Sequence, residues 1–238
     1  MQTIVLATQK GGSGKSTLAI GLAVAAMQDG QRVRLIDADR QGTVWNWGRR
    51  RANPSPGVAR IESNMEAEHM LRFLDRNGAT LAIIDTAGAD SSSSASIIDA
   101  ADLCLVPARP SPADIEAAAP TIRFVRKLGK PFAMVLNQTP ARSYRLTEAA
   151  SALTEIGVLA LPYIVQRNDH QDALGAGLGV TEFAPLGKAA EEIRGLWQWV
   201  LKRMTLGTFD YETASRGGIP SVCQLVTAGS GARQVRIR

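Results

Sequence analysis

Nine consecutive residues, Gln9, Lys10, Gly11, Gly12, Ser13, Gly14, Lys15, Ser16 and Thr17, stand between an apolar strand-like run and a helical pattern. Glycines in such a loop let backbone N–H groups curl around phosphate oxygens, and the N-terminus of the following helix adds a favourable dipole. The chemistry this predicts is nucleotide binding. Lys15 reaches the β- and γ-phosphates, and the Ser16 hydroxyl coordinates Mg²⁺. Farther along, Leu81, Ala82, Ile83 and Ile84 run into Asp85. A strand ending in a carboxylate supplies a hard oxygen to the same Mg²⁺, through water. Apolar strands that end in aspartate are common, so Asp85 takes its meaning from the phosphate loop.

These residues need strands to carry them to one rim. Short apolar runs alternate with helical patterns, the mark of a parallel sheet with crossover helices. Strands are expected over residues 3–7, 32–36, 59–61, 81–85, 103–106, 132–136 and 158–160. Helices are expected over residues 15–28, 45–51, 65–77, 95–101, 112–128, 146–155 and 186–204. The fold class is therefore α/β: a doubly wound, mostly parallel sheet flanked by helices, of P-loop NTPase type, with the nucleotide at the carboxyl ends of the strands. Residues 1–204 account for this domain. Residues 205–238 are rich in Gly, Ser and Thr, lose periodicity, and read as a C-terminal extension that is ordered only if it packs on a neighbour.

Composition narrows the setting. The 238 residues are 45% hydrophobic and 21% charged, ordinary values for a soluble globular chain. The apolar runs are of strand length, and the first residues lead straight into a strand, which leaves no room for a signal peptide. Cys104 and Cys223 are too few for a disulfide framework or a cysteine-rich metal site. A cytoplasmic protein is expected, with Cys104 a buried, inert thiol. A net charge of +5 is compatible with a polyanionic partner without establishing one.

The loop carries a second lysine, Lys10, at its start. With it, the run Lys10, Gly11, Gly12, Ser13, Gly14, Lys15, Ser16 resembles the deviant Walker A motif of the ParA/MinD superfamily of P-loop ATPases. The resemblance implies that Lys10 crosses a dimer interface to the phosphates of ATP in the partner subunit; a solvated lysine beside a phosphate loop is the plainer alternative. Asp37, Ala38, Asp39, Arg40, Gln41 and Gly42 resemble the family segment after the second strand, which has proline where Arg40 stands. The resemblance implies that Asp39 positions the attacking water and the metal shell, while Asp37 reads as structural. Thr86, Ala87 and Gly88 depart in part from the family pattern after Asp85, and the segment from Gly88 to Ser94 reads either as a γ-phosphate-sensing switch or as a plain loop. Asn137 occupies the family's adenine-recognition position, or is a turn residue after a strand. Leu161, Pro162 and Tyr163, with Gln166, Arg167 and Asn168, resemble the segment that closes over the base.

The superfamily's branches differ in their partners. An iron–sulfur branch needs cysteine ligands that this chain lacks. For a MinD-like, membrane-associated branch, the stripe Ile193, Leu196, Trp197, Val200, Leu201 and Met204 is either a membrane face or the inner face of a packed helix. Trp199 falls off that stripe. The ParA-like branch implies an ATP-dependent homodimer that binds non-specific duplex DNA, an adaptor protein that stimulates a weak intrinsic ATPase, and no stable membrane insertion. Arg167, Lys188, Arg194, Lys202 and Arg203 are its candidate phosphate contacts, and Arg49, Arg50 and Arg51 read as a solvated helix end. No helix-turn-helix precedes the phosphate loop, so sequence-specific operator binding is not expected. ATP and Mg²⁺ are the expected cofactors, and a cytoplasmic protein joining the nucleoid in its ATP state is the expected location.

Overall fold

The computed structural model describes residues 1–61, 64–87, 95–141 and 144–206. The proposed switch segment from Gly88 to Ser94, Cys223, and the extension beyond Leu206 lie outside the described residues. Among the described residues, six parallel strands form one sheet in the order β3-β2-β4-β1-β5-β6. They are β1 (Gln2–Leu6), β2 (Val33–Ala38), β3 (Gly57–Arg60), β4 (Leu81–Thr86), β5 (Leu103–Ala108) and β6 (Phe132–Leu136). Central β1 lies between β4 and β5, so the chain reverses its winding there, and the loop after β1 opens at the switch point.

Helices cover both faces, which is why β4 and β5 are buried at every position and read as continuous apolar runs. Alternate residues part to opposite sides. Ile4, Leu6, Leu81 and Ile83 join a core built with α1 (Lys15–Gln28) and α2 (Thr43–Arg50). Val5, Ala82 and Ile84 join a second core, which takes in α3 (Asn64–Arg76), α4 (Ala95–Asp99), α5 (Pro112–Lys127) and α6 (Tyr144–Ile156). The first core also includes α7 (Asn168–Gly175), α8 (Val180–Phe183) and α9 (Lys188–Leu206). Cys104 is fully buried, and burial pushes its thiol up to about 12, so it is inert near neutral pH.

Three departures from the sequence reading have physical causes. Residues 158–160 make one parallel bridge, Leu159 to Met134, and do not extend it into a strand. Pro162, two positions past Ala160, has no N–H to carry the ladder on. The short helices α7 and α8 were not anticipated, because eight and four residues with few apolar positions carry little periodicity. Arg51 is not a solvated helix end: its side chain is 1% exposed, pairs with Glu182 through both carboxylate oxygens at 2.6 and 2.7 Å, and lies 4.9 Å from the Trp47 ring centre.

The stripe on α9 faces inward. Ile193, Leu196, Trp197 and Val200 are buried, and Ile193 sits so close to α1 that a Cβ on Gly21 would meet its Cδ1 at 3.1 Å. Trp197 Nε1 donates to Asp29 Oδ2 at 2.8 Å. Trp199 is half-buried at the edge of the same core, with the Arg203 guanidinium 5.1 Å from its ring centre. The helix continues through Thr205 and Leu206, so a boundary after residue 204 falls inside α9. No helix among the described residues is long and apolar enough to cross a membrane. Trp197→Ala is expected to lower stability by about 3–5 kcal/mol. Trp199→Ala should cost less than about 2 kcal/mol. Urea unfolding followed by circular dichroism compares the two, and equal losses would contradict the packing described for α9.

Candidate nucleotide-binding and catalytic site

The carboxyl ends of β1, β2, β4 and β6 lie on one rim of the sheet, and they bring together residues that are distant in sequence. The phosphate loop follows β1 directly. Gly14, at φ 85°, precedes α1, whose first turn has no side-chain cap and no acidic residue. Its leading N–H groups are therefore available to an anion. Only glycine fits at Gly14, because a Cβ there would stand 2.2 Å from Asn137 Nδ2. Gly11 and Gly12 are exposed at the mouth, and Ser13 is buried beneath them.

Lys15 is 7% exposed and donates to Thr8 O at 3.2 Å. Burial lowers its ammonium below the ordinary lysine value, against the pull of Asp85 and Asp39 nearby. Ser16 Oγ donates to Asp85 Oδ2 at 2.6 Å, so the two residues assigned to Mg²⁺ already touch. Thr17 follows, half-buried, in the first turn of α1. Asp85 is fully buried, and burial pushes its carboxyl up to about 7 despite the Ser16 hydrogen bond and the charge of Lys15. Its Oδ1 is buried without a hydrogen-bond partner, as is Ser13 Oγ. A buried carboxylate oxygen lacking a donor, beside a serine hydroxyl, is the donor set that a hard divalent cation takes, so the residues present fit Mg²⁺.

Asp37 is fully buried at the end of β2. Its carboxylate accepts Asp39 N at 3.0 Å and Trp45 N at 2.7 Å, tying the strand to the first turn of α2, and burial raises it above the usual carboxylate range against those two bonds. That is a structural task. Asp39, half-exposed at the same rim, accepts Gln41 N at 2.9 Å. Asn137 follows β6, 4% exposed, and its amide donates to Ser13 O at 2.7 Å. Gln138, with its backbone at φ 52°, donates from its side chain to Gly12 O at 3.1 Å. Sequence reasoning missed Gln138. It also missed Asp114, although Ser111 and Asp114 carry the S-x-x-D start signature of α5 at the end of β5. Burial would raise Asp114, but hydrogen bonds from Ser111, Lys10 and Arg109 outweigh it and hold the carboxyl below its usual range.

The basic candidates are scattered and differ in what they touch. Lys188, Arg194 and Lys202 are exposed on α9, with Arg194 donating to Pro185 O at 2.7 Å. Arg167 pairs with Glu192 at 2.6 Å, and Arg203 lies over Trp199.

The raised Asp85 carboxyl has a measurable consequence. It gains its proton near pH 7 in the folded chain and near 3.8 in the unfolded chain. Between those values the folded state binds more protons, so stability falls as pH rises towards 7 and levels off above. In nucleotide- and metal-free protein, Asp85→Asn should therefore stabilise more at about pH 8 than at about pH 5, by on the order of 2 kcal/mol. Thermal melts at the two pH values check this, and a pH-independent difference would contradict the shift.

Comparison with known proteins agrees with this geometry. The family model described as VirC1 protein matches residues 1–177. The maintenance of carboxysome distribution protein A of Gloeobacter kilaueensis is 30% identical over 211 residues, 85% of this chain and 94% of that protein. Protein virC1 of Rhizobium radiobacter is 30% identical over 187 residues, 74% of this chain and 80% of that protein. Among solved structures, a putative plasmid partition protein from Borrelia burgdorferi B31, bound to AMPPNP, superposes with a TM-score of 0.70 at 18% identity, covering 85% of this chain and 99% of that one. The cell division ATPase MinD of Pyrococcus furiosus gives 0.68 at 18% identity, covering 84% and 98%. With its phosphate loop, its Ser16–Asp85 pair and its parallel sheet, the chain belongs to the VirC1 family, within the ParA/MinD group of P-loop ATPases.

Proposed function

We propose that two copies of this chain close around ATP, that the closed dimer binds duplex DNA without regard to sequence, and that hydrolysis releases it. An adaptor protein stimulates a weak intrinsic ATPase and links the cycle to a cargo: a plasmid, a chromosome or a protein assembly. The observation that carries this reading is Lys10, a second lysine at the mouth of a phosphate loop whose own lysine, Lys15, is buried in the loop and donates to Thr8 O. A second lysine with a partly exposed side chain at that mouth suits phosphates that arrive with another subunit. A relative 30% identical to this chain is named for carboxysome distribution, which supports a cargo.

Each residue has a task in the cycle. The N–H groups of Gly11, Gly12, Ser13, Gly14, Lys15, Ser16 and Thr17 cradle the phosphates, and Lys15 balances the β- and γ-phosphate charge. Ser16 and Asp85, with Asp39 at the same rim, would hold Mg²⁺, which would supply neutralisation of the phosphate charge. Asp39 orients the attacking water. Asn137 donates one of its two amide N–H groups to Ser13 O, and its side-chain oxygen is the acceptor for the adenine amine. Lys188, Arg194 and Lys202, with Arg167 and Arg203, meet DNA phosphates, a contact that needs no base-reading geometry. The dimer then works in the cytoplasm and associates with the nucleoid while ATP is bound. A MinD-like membrane role loses its main sequence support, because the α9 stripe is packed on α1.

The test is binding of a random-sequence duplex with ATP, ADP or no nucleotide, across a salt series. Binding is expected with ATP alone, and Lys10→Ala should abolish it. Removing both Lys188 and Lys202 should weaken it uniformly and reduce the log–log salt slope by about 2. Absence of binding under every condition would sink the DNA reading and turn attention to anionic liposomes.

A further inference from the structure

Lys10 is engaged within its own chain. Its ammonium lies 2.9 Å from Asp114 Oδ1, and the same carboxylate accepts Arg109 Nε at 3.1 Å and the Ser111 hydroxyl. The two ends of this pair are unlike. Asp114 is 6% exposed and fixed in the first turn of α5, where Ser111 caps the helix by accepting Asp114 N and the helix dipole favours a carboxylate. The Lys10 side chain is 31% exposed, on a loop, at the end of a flexible stem. One partner is anchored; the other is able to leave.

We propose that Asp114 is the positioning residue of Lys10: it holds the ammonium beside its own phosphate loop in the nucleotide-free chain, and closure of the dimer transfers Lys10 from Asp114 to the partner subunit's ATP. This rests on the dimerising role given to Lys10 above. An ammonium seated on Asp114 is not available across an interface, so each subunit gives up one ion pair on closing. A triphosphate carries more charge and more acceptor oxygens than a single carboxylate, so the exchange is favourable only with ATP in the partner's site. Arg109 makes the exchange reversible. Its guanidinium stays on Asp114 after Lys10 leaves, and no buried carboxylate is stranded without a counter-charge. Asp114 thereby sets the ATP and protein concentration at which the dimer forms.

Two measurements on the full chain test this, with Asp114→Asn keeping the side-chain shape and a thermal melt confirming that the variant folds. First, without nucleotide, an amine-reactive acyl ester should modify Lys10 about threefold faster in Asp114→Asn than in wild type, while exposed Lys188 is unchanged. Equal rates at Lys10 overturn the proposal. Secondly, sedimentation with ATP should show Asp114→Asn dimerising at about fivefold lower concentration, the size expected from two partly exposed ion pairs released per dimer. Adding Lys10→Ala should erase that gain. Weaker or unchanged dimerisation in Asp114→Asn, or a gain that survives Lys10→Ala, overturns the proposal. A wild type that stays monomeric with ATP while Lys10 labelling still rises in Asp114→Asn would instead remove the dimerisation reading and leave the holding contact standing.

Discussion

Lys15, Asp37 and Asp85 bury one ammonium and two carboxyl groups at the carboxyl rim of the sheet, and the cost of that burial shapes the surrounding contacts. An isolated buried charge is costly unless it is hydrogen-bonded, paired or neutralised. Each of the three meets this differently. Asp37 takes two backbone N–H groups and becomes a fastening for α2. Lys15 donates to a carbonyl of its own loop. Asp85 keeps one oxygen on Ser16 and leaves the other without a donor, and its carboxyl is pushed up to about 7. The unresolved demand is therefore concentrated on Asp85 and on the phosphate loop above it. Such a site is poorly satisfied without a ligand and well satisfied with a cation and an anion together.

From that rim the structure is tied to its far side by a chain of polar contacts through α2. Asp37 accepts the amide of Trp45, two positions before Trp47. The Trp47 indole donates to Leu178 O, and Arg51 bridges to Glu182, whose carboxylate also accepts Gly179 N. Gly179 packs so tightly on α1 that a Cβ would meet Val24 Cβ at 2.7 Å. The segment around α8 then leads into α9, the helix with the exposed lysines. The Asp37 to Gly42 segment and the basic helix are thus joined through the Arg51–Glu182 ion pair and the Trp47 indole. Breaking that pair by removing Glu182 would leave the Arg51 charge buried, with the Ser55 and Gly177 carbonyls as its remaining hydrogen-bond partners.

What was legible in the sequence followed from period and punctuation. The boundaries of α1 and β6 come out as the sequence implies, since the phosphate loop fixes one end of α1 and the short apolar run of β6 is bounded by Pro131 and Asn137. The glycine loop, Ser16 and Asp85 were legible as a set, and the structure brings Ser16 and Asp85 into contact. Less local features were not legible. Arg49, Arg50 and Arg51 look alike in sequence, yet only the geometry of α8 selects Arg51 for burial against Glu182. Trp199 had no evident place because its partner, Arg203, stacks from one turn further along the helix. Asp114 was hidden for a related reason. Its capping signature reads as ordinary helix chemistry, and only the juxtaposition of the loops after β1 and β5 in a parallel sheet brings Lys10 to it.

The phosphate loop is shaped before any nucleotide arrives, and the end of β6 does the shaping. Asn137 reaches across to Ser13 O, and Gln138 holds Gly12 O from a backbone conformation that non-glycine residues seldom adopt. Together they fix two carbonyls of a loop that is otherwise rich in glycine and entropically expensive to order. With those carbonyls engaged, the loop's N–H groups remain for phosphate, and little ordering is left to oppose binding. The close approach has its own requirement, the missing Cβ of Gly14, so the glycine serves Asn137 as much as it serves the turn. In the proposed reading Asn137 links base and phosphate, because the residue assigned to adenine also fixes the loop assigned to the triphosphate. In that reading a substitution at Asn137 acts on both ends of the nucleotide at once, so a loss of affinity alone would not separate base recognition from loop geometry, whereas Gln138 has a contact to the loop, at Gly12 O, to report on.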